Sequence, residues 1–169
     1  TLPGMKERTL IIDSVSKSFA MTGFRVGFAT GPVHLIELMT KCVENVYSAV
    51  ATPSQYAALV AFDKGMEAMM AMKKEYKKRR DFLVSRINEM DKISCIMPKG
   101  AFYVFANIKK TGLSAEEFAE RLLEKEHVAV IPGSNFSKNA SGYVRISYGT
   151  SMEKIEDGLN RMERFLKSL

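Results

Sequence analysis

Ser14-Val15-Ser16-Lys17-Ser18-Phe19-Ala20-Met21-Thr22-Gly23-Phe24-Arg25-Val26-Gly27 is the stretch on which the reading of this chain turns. Before it, Leu10-Ile11-Ile12 reads as a strand running into a loop. Phe24 to Ala29 reads as a second short apolar run, stopped by Thr30-Gly31-Pro32. Lys17 therefore follows a strand directly, in an apolar setting whose nearby carboxylate is Asp13. A lysine buried beside another cation has its charged form disfavoured, which frees the amine to act as a nucleophile. Arg25 follows in the same stretch, flanked by Gly23 and Gly27, which allow close backbone approach. A guanidinium and a hydroxyl near a lysine amine suit a phosphate-bearing aldehyde. The arginine fork and the serine hydroxyl take the phosphate, and the amine takes the aldehyde. Taken singly, a lysine after a strand is most often a solvent-facing residue, and Gly23-x-x-x-Gly27 is a weak phosphate signal. The spacing of the whole set is what carries information.

Outward from this stretch the chain alternates helical and extended patterns. A helix is expected from about Val33 to Ser48, with Leu35, Leu38, Met39, Cys42, Val43 and Val46 on one apolar face. On that face Cys42 reads as a core residue. Thr52-Pro53 opens another helix, proline being tolerated in the first turn. Gly65 separates it from a long basic helix reaching about Met90, whose stripe is Met66, Met69, Met70, Lys73, Tyr76, Leu83, Ile87 and Met90. Beyond Asp91 the texture changes. Ile93 to Met97 and Phe102 to Ile108 are strand-like, and Ser114-Ala115-Glu116-Glu117 is a capping box opening a helix. Val128 to Ile131 is a short strand stopped by Pro132-Gly133, and Tyr143 to Tyr148 is another strand. Thr150-Ser151-Met152-Glu153 reads as a second capping box before a terminal helix with Met152, Ile155, Leu159, Met162 and Leu166 in a stripe. The order β-β-α-β-β-α from Ile93 onward specifies an α+β layer.

Composition narrows the classes. With 46% hydrophobic and 26% charged residues the 169-residue chain is that of a folded protein, not a disordered one. The longest uncharged stretch, Asn45 to Phe62, carries Asn, Ser, Thr, Pro and Gln and cannot span a membrane as a helix. The net charge of +6 draws on Lys73-Lys74-Glu75-Tyr76-Lys77-Lys78-Arg79-Arg80. No nucleic-acid motif or aromatic interleaving accompanies that run, so it reads as a solvated helix face and no nucleic-acid partner is expected. Cys42 and Cys95 stand far apart with no Cys/His cluster around them. No metal site or disulfide framework is expected, and the usage fits a reducing cytoplasm. His34 and His127 have no acid or nucleophile at a diagnostic spacing and are assigned to a helix start and a strand approach.

The opening stretch resembles the pyridoxal-phosphate attachment signature of class I/II aminotransferases, the fold-type I enzymes. Every position of Ser-x-Ser-Lys-x-x-Ala-Met-x-Gly-x-Arg-Val-Gly is met. Pro98-Lys99-Gly100-Ala101-Phe102-Tyr103-Val104-Phe105 is similar to the family's small-domain strand motif, and Val130 to Phe136 to its Pro-Gly-Ser-x-Phe turn. Gly142-Tyr143-Val144-Arg145-Ile146-Ser147-Tyr148 is similar to the strand that supplies a carboxylate-binding arginine. The resemblance implies that Lys17 is the Schiff-base lysine and the acid–base group of the reaction. It implies that Ser14 and Arg25 hold the phosphate of pyridoxal 5'-phosphate and that Arg145 binds the substrate α-carboxylate. Ser16 is left as support for the turn. The implied activity is amino transfer between an amino acid and a 2-oxo acid, by a homodimer.

In that family a glycine-rich phosphate loop, a ring-stacking aromatic residue and an Asp on the pyridine nitrogen all precede the lysine. None of them is found among the residues before Lys17. The expectation is therefore the C-terminal part of an α/β fold-type I enzyme, inactive by itself. Residues 1–60 form the tail of the large cofactor domain, 61–92 a connecting long helix, and 93–169 a small α+β domain. The strands before residue 60 are expected to belong to a larger sheet and to expose apolar faces in this chain alone. Two alternatives stand beside this reading. One is a fold-type I lyase or synthase using the same lysine. The other is an aminotransferase-like sensor domain of a transcription regulator.

Overall fold

The computed structural model describes residues 2–169. Contacts divide the chain into one unit ending at Met72 and a second over Lys73–Leu169, a boundary that falls within the long helix.

In the first unit, β1 (Ile11–Ser14) and β2 (Gly27–Thr30) pair antiparallel, with Ile11 opposite Thr30 and Ser14 opposite Gly27. Between them lie α1 (Val15–Ser18), one turn long, and a 3-10 turn at Thr22–Phe24. The second strand starts later than the apolar run suggests, because Arg25 adopts a left-handed conformation that no strand accommodates. Then come α2 (Val33–Val46), α3 (Thr52–Lys64) and the first turns of α4 (Met66–Glu89). Val15, Met21 and Ala58 form a small core, with Phe19, Val26, Ala57 and Ala61 packed against it. Gly65, at the junction of α3 and α4, is required by close approach. A Cβ there would run into the Ala61 carbonyl and come within 3.0 Å of the Phe19 ring.

The expectation that Cys42 is a core residue fails in this unit, for a physical reason. With only two strands and a small core, there is little to bury against. No residue of α2 is buried, and Cys42 is exposed rather than in a core. The leading part of the α4 stripe is likewise open, Met66 and Met70 being exposed. Ile11 and Ile12 face water, as expected for strands whose sheet has two members here.

The second unit has a four-stranded antiparallel sheet ordered β3-β4-β6-β5. Its strands are β3 (Ser94–Cys95), β4 (Tyr103–Asn107), β5 (Ile131–Pro132) and β6 (Tyr143–Ser147). Two helices, α5 (Ala115–Glu126) and α6 (Met152–Lys167), complete the expected order. Pro132 lies inside β5 instead of stopping it. β5 is an edge strand, where a missing N–H is tolerated.

Strand alternation decides which face is core. Val104, Ala106 and Val144 share one cluster with Leu83 and Ile87 of α4, Phe118 and Leu122 of α5, and Leu159 and Phe165 of α6. Burying each large side chain of that kind contributes about 1.5–3 kcal/mol. Phe118 and Phe165 meet edge to face at 5.3 Å, a geometry that rings favour. The helices therefore cover one face and leave Tyr103, Phe105 and Arg145 on the other.

The capping box of α5 forms as expected. The Ser114 hydroxyl accepts from the Glu117 N–H, and the Glu117 carboxylate accepts from the Ser114 N–H at 3.0 Å. At α6 the cap is Ser151, not Thr150. Its hydroxyl accepts from the Lys154 N–H, and no reciprocal box forms because the helix starts one residue later than the Thr150–Glu153 spacing requires. The basic run is laced by ion pairs within α4, Lys77 to Asp81 at 2.6 Å and Arg79 to Glu75 at 3.0 Å. Among the described residues no helix is long and apolar enough to cross a membrane.

Candidate active site

The loop between β1 and β2 is closed at its base. The Val15 N–H donates to the Val26 carbonyl at 3.3 Å, just beyond the Ser14–Gly27 pair. Ser14, Lys17 and Arg25 therefore belong to one excursion from the end of one ladder. Buried Val15 and Met21 pin this loop from below. α1 stops after one turn because Ala20 takes a left-handed conformation at φ 54°, which ends a helix of L-residues. Arg25 is left-handed as well, at φ 57°, and its Nη1 donates to the Thr22 carbonyl at 2.9 Å. Two non-glycine residues with positive φ in one short loop mark backbone held against its preference, a pattern concentrated at ligand sites.

Lys17 is exposed in this chain, not set in the apolar surroundings that its neighbours suggest. The small core takes in Val15 and Met21, with Phe19 and Val26 packed against it, and does not include Lys17. Ser14 is half-buried, and its N–H donates to the Asp13 carboxylate at 2.7 Å, so that anion is engaged by backbone. The loop thus offers an amine, a hydroxyl and a guanidinium at an accessible end of the ladder. This donor set fits a phosphate-bearing aldehyde.

Arg145 lies in the second unit, half-buried on the open face of the sheet, opposite Phe105 of β4. Its guanidinium carbon is 4.2 Å from the Tyr103 ring centre and 4.6 Å from that of Phe136. Phe136 is delivered by the turn after β5, where its N–H donates to the Gly133 carbonyl at 2.9 Å. That turn needs a glycine, since a Cβ on Gly133 would overlap the Ala140 carbonyl and lie 2.7 Å from the Tyr143 oxygen. The sequence singled out Arg145 but not the rings around it. The alternation of Tyr103 and Phe105 along one strand, and the aromatic end of the Pro-Gly-Ser-x-Phe turn, were the available signals.

The remaining polar residues take structural positions. His34 is in the first turn of α2, and His127 is the left-handed C-cap of α5. Among the described residues no three His, Cys, Asp or Glu side chains gather as a metal site.

Residues 2–162 match the family described as aminotransferase class I and II. The chain belongs to that family. Two curated aminotransferases illustrate the likeness. One is an aspartate aminotransferase of Pyrococcus abyssi, 46% identical over 99% of this chain and 43% of its own length. The other is aromatic-amino-acid aminotransferase 2 of Thermococcus litoralis, 43% identical with the same coverage of both chains. Among solved structures, an aromatic aminotransferase from Pyrococcus horikoshii OT3 superposes with a TM-score of 0.94 at 46% identity, over 99% of this chain and 45% of that one. The chain thus spans less than half the length of these aminotransferases, and it has the fold of their matching part.

Proposed function

We propose that the protein containing this chain is a pyridoxal-phosphate-dependent aminotransferase, moving an amino group between an α-amino acid and a 2-oxo acid. One observation carries the reading: a single strained loop, closed by the Val15–Val26 hydrogen bond, presents Ser14, Lys17 and Arg25 together. Lys17 Nζ would hold the cofactor through its aldehyde, and as a free amine it would act as the general base that takes the proton from the substrate Cα. Ser14 and Arg25 hold the phosphate through a hydroxyl and a charge-assisted fork. Arg145 binds the α-carboxylate and fixes the orientation of the Cα–H bond. The cofactor, when bound, supplies the electron sink that makes that proton acidic. We also propose a cytoplasmic homodimer, in keeping with the family resemblance and with two unpaired cysteines. The 169-residue chain alone is expected to be inactive.

The test uses the full-length protein. Borohydride reduction followed by peptide mapping should place the cofactor adduct on Lys17, and Lys17→Ala should lose both the near-ultraviolet-to-visible cofactor band and nearly all turnover. A Lys17→Ala protein that still carries a reducible lysine adduct would overturn the assignment. Conversion of the bound cofactor to pyridoxamine phosphate by an amino acid identifies transamination, whereas elimination without that product identifies a lyase.

A further inference from the structure

The surroundings of Arg145 go beyond its assignment as the carboxylate-binding group. Tyr103 and Phe136 both pack against one guanidinium, whose carbon stands 4.2 and 4.6 Å from their ring centres. Among the described residues this arginine makes no salt bridge and no side-chain hydrogen bond. Within this chain the two rings are what hold it. Each ring is braced in turn: Phe136 meets the edge of Phe105 at 6.1 Å, and Tyr103 lies 4.5 Å from Phe102. A guanidinium donates hydrogen bonds only in its own plane, through its N–H fork, so rings that fix its plane fix the direction of that fork. Its long side chain has also lost the rotamer freedom that binding would otherwise cost.

We infer that Tyr103 and Phe136 are positioning residues that clamp the Arg145 guanidinium, presetting its plane for two-pronged capture of the substrate α-carboxylate. This rests on the proposed role of Arg145. The clamp makes the fork available without competing with it, because aromatic faces attract a cation yet take none of its N–H donors. An ion-paired arginine would have to give up a carboxylate partner before accepting the substrate.

The probes are L-phenylalanine and L-phenylalaninamide, which differ at the α-carboxylate, titrated into the cofactor-loaded full-length protein with Kd read from absorbance. In Phe136→Leu the Kd for the acid should rise about three- to thirty-fold, the range of one cation–π contact. The Kd for the amide should stay unchanged. Phe136→Tyr, which keeps the ring, should preserve the acid-to-amide preference. Tyr103→Leu should repeat the effect of Phe136→Leu and serves in its place if that variant fails to fold by thermal melting. An equal change for acid and amide, or equal weakening in Phe136→Leu and Phe136→Tyr, would overturn the clamp. Arg145→Ala separates the two claims. If it abolishes the acid-to-amide preference while the ring variants retain it, the clamp falls and the carboxylate role stands. If Arg145→Ala leaves the preference intact, both fall.

Discussion

Cys95, in β3, is partly buried, and burial pushes its thiol up to about 11; Cys42, on α2, is exposed. At pH 8 a thiol of that kind holds roughly one thiolate per thousand molecules, and the thiolate is the species that reacts. Native chain treated with iodoacetamide at pH 8 should therefore be alkylated at Cys42 long before Cys95, and unfolding should remove the difference. Mass mapping checks this, and comparable rates at both sites would contradict the burial of Cys95. The same pair shows what single residues disclose. Cys42 sits in an apolar helical stripe, and a stripe records only that a helix has a face. Whether something covers that face depends on distant chain. That Ser14, Lys17 and Arg25 share one loop was legible, because they are near neighbours in sequence and their spacing carries the loop's geometry. The clamp on Arg145 was not, since Tyr103, Phe136 and Arg145 meet only through the pairing of β4 with β6 and the turn after β5.

At the scale of elements, α5 provides a measurable case. Its first turn is satisfied reciprocally by Ser114 and Glu117. Ser114→Ala should cost about 1 kcal/mol of stability in the second unit, and Ser114→Gly only a few tenths. The Glu117 carboxyl is held below its ordinary value of 4.5, first by the Ser114 N–H and then by the Ser114 hydroxyl. A carboxylate lowered in the folded state stabilises that state fully above its unfolded value, and the contribution is lost as pH falls through the folded value. The gap between the native chain and Ser114→Ala in thermal melts should therefore be widest near neutral pH and narrow below about pH 4. A gap that stays constant down to pH 3 would show that the serine acts without its charged partner. Ser114 was readable because its four-residue box is unambiguous. Thr150 and Ser151 are adjacent hydroxyls, either of which can cap, and only the packing of α6 against the sheet chooses between them.

Across the whole molecule, the two units differ in how much they bury. The core of Lys73–Leu169 draws on three helices and a sheet, whereas that of the first unit is three residues with their partly covered neighbours. Ile12, Val46, Tyr56 and Leu59 are all more than 60% exposed. Apolar surface of that kind, beside strand edges in a two-stranded sheet, favours association between copies. The 169-residue chain should therefore self-associate in light scattering, or be cut by protease ahead of Thr52 while residues 73–169 survive. A monomer whose first fifty residues resist protease as well as its last seventy would disprove this. The open sheet face of the second unit has a bearing on how the chain avoids error. If β6 slid by one residue against β4 during synthesis, Arg145 would turn inward among Phe118, Leu122 and Phe165, and Val144 would turn out to water. An unpartnered guanidinium in such a core costs several kcal/mol, so the mispaired register is strongly disfavoured. The side chain proposed to receive the substrate thus also proofreads the sheet that carries it, and a lineage that gave up catalysis would still have reason to keep a charge at that position.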